Sequence, residues 1–151
     1  MILIPGNQVT YREADKDFNR LNHFKVEEAG EKVAILALGD FYQRGEQLSA
    51  KIKAELGFTP TLINPRFASG IDKELLESLS ERHQMVITME DGILSGGFGE
   101  KIASFYGSSD MKVKNYGLEK KFYDRYDPNE LLKEVGMTPA QIIADICNQL
   151  K

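Results

Sequence analysis

Cysteine, histidine and tryptophan are scarce in this 151-residue sequence, which has one cysteine, two histidines and no tryptophan. The single Cys147 excludes a disulfide within the chain and is typical of a reducing compartment, so we expect a cytoplasmic protein. His23 and His83 lie sixty residues apart, and neither has Cys, Asp or Glu at a metal-ligand spacing. The sequence therefore predicts no metal site of its own.

A basic excess and long apolar runs are also lacking. The formal net charge is −4, from 19 Lys and Arg against 23 Asp and Glu. This balance argues against a nucleic-acid binder, which usually carries a basic patch. The longest apolar run, residues 33–38, is far too short to cross a membrane. The first residues lack the basic and apolar regions of a signal peptide, so we expect neither a nucleic-acid nor a membrane partner.

What the sequence does contain is a set of short segments typical of β-strands. Four of them span residues 33–38, 61–64, 85–89 and 112–116. The first is continuously apolar, as expected for a central parallel strand, and the fourth is more polar, which favours a place near an edge. Residues 24–32 indicate a further edge strand and a turn. Because helical patterns alternate with these strands, the sequence predicts a three-layer α/β/α domain. Its sheet is mostly parallel and five-stranded, with one antiparallel edge strand.

Capping residues mark where several helices begin. Asp72 is suited to cap a helix before the third strand. Asp127 and Thr138 each precede a proline at the first helical position and begin two helices at the end of the chain. Cys147 lies on the apolar stripe of the last helix, so we interpret it as a small core residue.

Composition divides the chain into two parts. Residues 1–23 are polar and weakly periodic, and we interpret them as a linker or as the end of a preceding domain. Residues 24–151 carry the alternating pattern and form the predicted folded domain.

Charged residues follow three of the predicted strands. Asp40 comes after the first, Arg66 after the second, and Glu90 with Asp91 after the third. Since ligands of parallel α/β sheets bind beyond the carboxyl ends of the strands, these residues could form a binding crevice. An internal network of ion pairs and helix caps is the simpler interpretation, because Asp is favoured at such turns in any case.

A glycine-rich loop, "GILSGGFGEK", connects the third strand to the next helix. A dinucleotide fingerprint would require glycine where Ile102 stands, and a P-loop would require lysine where Phe98 stands. Gly96, Gly97 and Gly99 are therefore interpreted as permitting a tight turn and close helix–sheet packing. Binding of an anion by their amides is the alternative.

Catalytic motifs are not recognisable. The sequence has no Gly-x-Ser-x-Gly elbow, and Cys147 has no activating neighbour in sequence. His83 lies at a predicted helix-to-strand turn, where a solvated or capping role is expected. The residues taken alone indicate a soluble α/β domain without a self-contained active site.

The ordered motifs resemble the C-terminal domain of the transketolase superfamily, and within it the 1-deoxy-D-xylulose-5-phosphate synthase family. The segments that carry the resemblance are "VAILALGDFYQRGEQLSAKI", "PRFASGIDKELL", "HQMVITMEDGILSGGFGEKI" and "NYGLEKKF". The resemblance extends from about residue 24 to residue 146. Any one motif is weak, but the ordered set is fairly specific.

The resemblance implies a homodimeric enzyme with three α/β domains that uses thiamine diphosphate and magnesium. Such a synthase condenses pyruvate with glyceraldehyde 3-phosphate in isoprenoid precursor synthesis. Its cofactor sites belong to the two preceding domains, so no cofactor is expected in this chain. The third domain supplies structure, dimer contacts and one wall near the active-site entrance, and residues 1–23 would include the end of the pyrimidine domain.

Several positions depart from the family pattern. The Gly-Asp-Gly that begins the diphosphate motif is not matched, because Phe41 follows Gly39-Asp40. Leu3 stands where the synthases carry a phosphate-binding arginine. Gly70 replaces a usual proline, and Glu119-Lys120 replaces a usual Pro-Asp.

Three hypotheses follow from this comparison. The first is an isolated C-terminal domain of a synthase-like transferase, inactive alone. The second is a separately encoded subunit that completes an enzyme in trans. The third is a regulatory module that binds an anion through the amides of residues 96–99 and Arg66.

Overall fold

The computed structural model of the protein describes residues 21–150. Within that range the strands are β1 (Lys25–Glu28), β2 (Lys32–Ala37), β3 (Thr61–Asn64), β4 (His83–Ile93) and β5 (Lys112–Leu118). They form one sheet in the order β1-β3-β2-β4-β5. β1 pairs antiparallel with β3, and the other neighbours are parallel. The predicted sheet, including its antiparallel edge strand, is confirmed.

Helices connect the parallel strands and complete the chain. A short 3-10 helix (Gly39–Phe41) leads into the first of them. They are α1 (Tyr42–Leu56), α2 (Lys73–Leu79), α3 (Phe98–Tyr106), α4 (Pro128–Glu134) and α5 (Pro139–Gln149). The Asp72 side chain accepts a hydrogen bond from the Leu75 amide, and Thr138 forms a capping box with Gln141. The caps that the sequence predicts for α2, α4 and α5 are therefore present.

Two apolar clusters fill the space on the two faces of the sheet. One joins Val33 and Ile35 of β2 to residues of α1, α4 and α5. The other joins Ala34 and Leu36 of the same strand to residues of α2 and α3. Since successive side chains of a strand point to opposite faces, a strand covered on both sides must be apolar throughout. This explains the continuous run at residues 33–38.

Two predictions about single residues can be compared with the structure. Cys147 is half-buried and packs against the cluster beneath α5, as its position on the apolar stripe predicts. His83 is buried, with 9% of its surface exposed, so of the two roles expected for it the solvated one is wrong, and its contact with the Leu79 carbonyl at the end of α2 supports the capping one. β4 begins two residues earlier than the apolar run indicated, and this places His83 inside the sheet.

Candidate functional site

The end of β4 and the start of α3 meet at the carboxyl edge of the sheet. Glu90 is almost fully buried there, with 4% of its surface exposed. Its carboxylate accepts hydrogen bonds from the amides of Phe98 at 2.9 Å and Gly99 at 2.8 Å. Because the first amides of a helix lack partners within the helix and carry partial positive charge, they favour an anion. In this protein that anion belongs to the chain itself.

The other two amides of the glycine loop also donate within the chain. The Gly97 amide donates to the carbonyl of Leu94 at 3.0 Å. The Gly96 amide donates to the carboxylate of Glu100. All four amides of residues 96–99 are therefore engaged by protein groups.

Close packing accounts for two of the three candidate glycines, Gly97 and Gly99. A Cβ atom on Gly99 would lie 2.5 Å from Oγ1 of Thr88 and 2.8 Å from Cγ of Asn115. A Cβ atom on Gly97 would lie 2.6 Å from the carbonyl oxygen of Ile93. These distances leave no room for a side chain between α3 and the strands beneath it.

Backbone conformation accounts for the third glycine, Gly96. Its φ angle of +76° lies in the left-handed region that favours glycine. The loop thus has one glycine for the turn and two for contact with the sheet, which is the arrangement that the packing interpretation predicts.

Arg66 lies at the same carboxyl edge of the sheet, two residues after the end of β3. Its backbone has a φ angle of +61°, and its amide donates to the side chain of Asn64 at 3.1 Å. Its guanidinium donates to the carbonyl of His23 at 2.8 Å from Nη2 and at 3.2 Å from Nε. Arg66 therefore fastens the segment before β1 to the end of β3.

The Asp72 side chain also binds the segment before β1. Its Oδ2 lies 3.2 Å from Nδ1 of His23 and accepts the amide of Phe24 at 2.9 Å, while its Oδ1 accepts the Leu75 amide. Sequence reasoning identified Asp72 as a cap and gave no role to His23. Their pairing joins residues 49 positions apart in sequence, which no local pattern indicates.

The two remaining candidate acids, Asp40 and Asp91, have exposed side chains. Asp40 is exposed in the 3-10 helix after β2, and Asp91 is exposed beside the buried Glu90. The structure thus brings Glu90 together with Gly97 and Gly99. The Arg66 guanidinium donates to the backbone carbonyl of His23, which lies just before β1. Among the candidate residues, Asp40 and Asp91 are the acids that a neighbouring protein surface could reach.

His83 lies in a buried network at the opposite, amino end of the sheet, and sequence reasoning identified its possible capping role but not its partners Thr61 and Gly30. Nδ1 of His83 lies 2.9 Å from the carbonyl of Leu79, so this nitrogen carries the proton and caps the end of α2. Nε2 lies 2.8 Å from Oγ1 of Thr61, which in turn accepts the amide of Gly30. Burial lowers the pKa of His83 from its ordinary value of 6.5. The imidazole is consequently held neutral as a structural group.

Neither a metal-binding cluster nor a membrane-spanning helix is present in the part of the chain that the structure describes. Residues 21–150 contain no group of three or more His, Cys, Asp or Glu side chains arranged to hold a metal ion. Within the same range, no helix has both the length and the apolar character needed to cross a membrane.

The mixed sheet, its helices on both faces and its glycine loop between β4 and α3 define an α/β domain of the transketolase C-terminal type. The chain belongs to this family, since residues 22–142 match the family described as Transketolase, C-terminal domain. Sequence and fold similarity agree on this assignment.

Relatives of known sequence are 1-deoxy-D-xylulose-5-phosphate synthases. The chain is 31% identical to that of Shouchella clausii over 99% of its own length and 24% of the relative's. It is 38% identical to that of Clostridium perfringens over 75% of its length and 18% of the relative's. The chain therefore spans about a quarter, or less, of these relatives.

Solved structures share the fold. A chain titled "Split gene transketolase, inactive beta4 tetramer" superposes with a TM-score of 0.74 at 24% identity, over 85% of this chain and 42% of that one. Transketolase from Campylobacter jejuni superposes with a TM-score of 0.56 at 19% identity, over 84% of this chain and 18% of that one.

Proposed function

We propose that this chain is the C-terminal domain of a thiamine-diphosphate-dependent, 1-deoxy-D-xylulose-5-phosphate synthase-like transferase, with a structural and interface-forming role and no activity alone. The observation that carries this proposal is the 31% identity to such a synthase over 99% of the chain. The whole enzyme would be a cytoplasmic homodimer that joins pyruvate to glyceraldehyde 3-phosphate for isoprenoid precursor synthesis.

The structure gives physical support to a scaffolding role. At the carboxyl edge, where α/β sheets usually bind ligands, the Glu90 carboxylate and the loop amides bind each other. Arg66 and Asp72 are engaged in fixing the segment before β1. These buried or half-buried groups stabilise the domain, whereas the exposed Asp40 and Asp91 are suited to contact another domain.

The residues that the structure describes, 21–150, support the proposal that thiamine diphosphate is held by another part of the enzyme. A diphosphate needs a set of free donors or a metal bridge, and the helix terminus best suited to one, that of α3, is occupied by Glu90. The Gly39-Asp40-Phe41 sequence forms a 3-10 helix with Asp40 exposed and lacks the second glycine of the diphosphate motif. Cofactor and magnesium would thus be held by the preceding domains of the enzyme.

Calorimetry tests this proposal directly. Thiamine diphosphate and Mg²⁺ are titrated into the purified chain, with the full-length synthase of Shouchella clausii as the positive control. We expect no heat of binding to the chain under conditions in which the control binds. Micromolar binding to the chain would overturn the proposal.

A second candidate is a separately encoded subunit that works in trans. It is favoured by the fold similarity to a chain from a split-gene transketolase. Co-purification with a second polypeptide that binds thiamine diphosphate, and synthase activity only when the two are combined, would establish this arrangement. Activity from a single longer polypeptide that contains this sequence would exclude it.

An anion-binding regulatory role has weaker support, because an incoming anion would have to displace the Glu90 carboxylate from Phe98 and Gly99. Phosphate titration followed by amide chemical shifts tests it. Saturable shifts at Gly97 and Gly99 at millimolar phosphate would favour this role, and unchanged shifts would remove it.

A further inference from the structure

The segment between β5 and α4 exposes apolar side chains at the carboxyl edge of the sheet. Phe122 has a relative exposure of 104%, and Tyr126 of 54%. Ile93, at the end of β4, is 43% exposed and pairs with Leu118, four residues before Phe122. A fully exposed phenylalanine, with a second exposed aromatic residue four positions later and an exposed isoleucine paired with the strand that precedes it, indicates an interaction surface.

The turn that carries Phe122 is fixed by its own neighbours. The Lys121 amide donates to the carbonyl of Glu119 at 2.8 Å, and the Glu119 amide donates to the Tyr123 hydroxyl at 3.1 Å. The Lys121 ammonium lies 3.1 Å from the Glu134 carboxylate of α4 and 5.1 Å from the centre of the Tyr123 ring. Lys121, directly before Phe122, is thus linked to α4, and Tyr123, directly after it, is linked to Glu119 next to the end of β5, while the Phe122 side chain is fully exposed.

The aromatic pair beside it extends this surface. The rings of Tyr123 and Tyr126 meet edge to face with their centres 6.2 Å apart. Aromatic side chains on an ordered turn lose little conformational entropy on binding, which suits them to act as anchors. Lys120 and Arg125 flank Phe122 in sequence and are exposed, with the exposed Asp124 between them.

We propose that residues 119–126, with Phe122 as the anchor, dock onto the part of the transferase that lies outside this chain. This inference rests on the proposed function. The relatives are about four times as long as the stretch they share with this chain, so a large remaining part of each must adjoin the domain. The expected partner surface is an apolar pocket for the Phe122 ring, with carboxylates on its rim facing Lys120 and Arg125.

The size of the surface favours a tethered partner over a second copy of this domain. A fully buried aromatic side chain contributes about 150–250 Å², so Phe122 with the exposed parts of Tyr126 and Ile93 supplies well under the roughly 800 Å² per partner that a stable interface needs. A partner in the same polypeptide or assembly is present at a high effective concentration, so a small surface is sufficient to hold it.

Hydroxyl-radical footprinting tests this assignment without altering the protein. Oxidation rates of Phe122 and Tyr126 are measured by mass spectrometry in the isolated chain and in the native assembly that carries it, as one polypeptide or as a complex of subunits. We expect Phe122 to react about tenfold more slowly in the assembly, as a hot-spot aromatic that loses access to solvent would. Phe58, near the opposite end of the sheet, is the internal control and should react at a similar rate in both.

A pair of variants separates docking from folding. Phe122→Ser should keep the circular dichroism spectrum and melting temperature of the isolated chain and should restore fast oxidation of Tyr126 in the assembly. Val26→Ser, which changes an exposed apolar residue on the opposite edge strand, is the matched control and should leave the Tyr126 rate unchanged.

Three outcomes would overturn the inference. The first is equal Phe122 oxidation in the chain and the assembly. The second is protection in the isolated chain that increases with protein concentration, which would indicate a second copy of this domain. The third is unchanged Tyr126 protection in Phe122→Ser. Failure of the proposed function has a different signature, because the native assembly would then lack thiamine diphosphate and synthase activity whatever the footprint.

Discussion

The Glu90 carboxylate accepts a hydrogen bond from the Gly99 amide at 2.8 Å, across the loop that joins β4 to α3. The same carboxylate accepts the Phe98 amide, so a buried anion lies at the start of a helix with two donors aimed at it. This relationship explains why a loop with the composition of a phosphate-binding loop stabilises the domain. It also identifies Glu90 as the residue on which the geometry of the carboxyl edge depends.

Removing the Glu90 side chain should therefore lower the stability of the domain more than a typical substitution at the surface does. Glu90→Ala leaves two buried amides without acceptors and removes a favourable charge at the helix terminus. We expect the free energy of unfolding to fall by about 2–4 kcal/mol, since hydrogen bonds to a charged group contribute about 1.5–3 kcal/mol. Glu90→Gln keeps one acceptor oxygen and should lose about half as much. Urea denaturation followed by circular dichroism measures both.

Asp91→Asn is the matched control for those variants. Asp91 is exposed next to Glu90, and its neutralisation in the isolated domain should change stability by less than about 0.5 kcal/mol. A loss in Asp91→Asn equal to that in Glu90→Ala would contradict the role assigned to the buried carboxylate.

Gly99→Ala tests the close approach of α3 to the sheet. The added methyl group would lie 2.5 Å from the Thr88 hydroxyl and 2.8 Å from the Asn115 side chain, whose mutual hydrogen bond would also be disturbed. Overpacking of this kind costs about 1–3 kcal/mol, measured by thermal or urea denaturation.

Gly107→Ala, at the C-terminal end of α3, is the control for Gly99→Ala. Its φ angle of −57° suits alanine, and the nearest atom to an added Cβ is the Ser104 carbonyl oxygen at 3.4 Å. We expect this variant to be neutral or to gain up to about 1 kcal/mol, because alanine reduces the freedom of the unfolded chain. A loss in Gly107→Ala as large as that in Gly99→Ala would contradict the assignment of the Gly99 effect to its contact with Thr88 and Asn115, because helix propensity alone favours alanine at both positions.

Sequence patterns predicted the sheet because strand type is encoded locally. A strand covered on both faces must be apolar at every position, and residues 33–38 meet that condition without reference to the rest of the chain. The polar character of residues 112–116 likewise predicted an edge, and β5 is an edge strand.

Side-chain partners were predicted less well, because residues that are far apart in sequence become neighbours only in the folded chain. The Arg66 guanidinium, for example, donates to the carbonyl of His23, 43 residues away, and no local pattern indicates this contact. The partner of Glu90 lies only eight or nine residues downstream, so this contact was within reach of sequence reasoning. An acid at a strand end, followed by a glycine loop and a helix start, is the pattern that would have indicated an internal anion.

Alkaline unfolding should reveal the buried Tyr116. Burial, followed by the hydrogen bond from its hydroxyl to Asp145 at 2.8 Å, raises the pKa of Tyr116 far above its ordinary value of 10.0. A raised pKa in the folded state means that the unfolded chain loses the proton first, so stability falls as the pH rises above about 10. Tyr116→Phe should show a shallower decline in the free energy of unfolding between about pH 9 and about pH 11, a range of about one unit on either side of the ordinary tyrosine pKa.

Tyr116→Phe should also be less stable than the wild type at neutral pH. It removes the hydrogen bond to Asp145, and we expect a loss of about 1 kcal/mol at pH 7. Tyr106, whose pKa burial also raises, remains in both proteins and contributes equally to their alkaline profiles. Parallel curves for the two proteins above pH 10 would contradict the assignment to Tyr116.

Mild acid should destabilise the domain through His83. Its pKa is lowered in the folded state, mainly by burial, so the unfolded chain binds the proton more tightly. The stability that the neutral imidazole provides is fully present above the ordinary value of 6.5 and is lost as the pH falls from there toward the folded pKa. The physical reason is that burial removes the hydration that a charged imidazolium has in the unfolded chain.

His83→Asn isolates this contribution. The asparagine amide can still donate to the Leu79 carbonyl but does not titrate, so we expect a loss of about 1 kcal/mol at pH 7.5 from the missing contact with Thr61. The difference between wild type and variant should then shrink as the pH is lowered from 7 to 5 in urea denaturation series. His23 is present in both proteins and cancels from the comparison. A difference that stays constant over this range would show that His83 does not titrate on unfolding and would remove the pH dependence assigned to it.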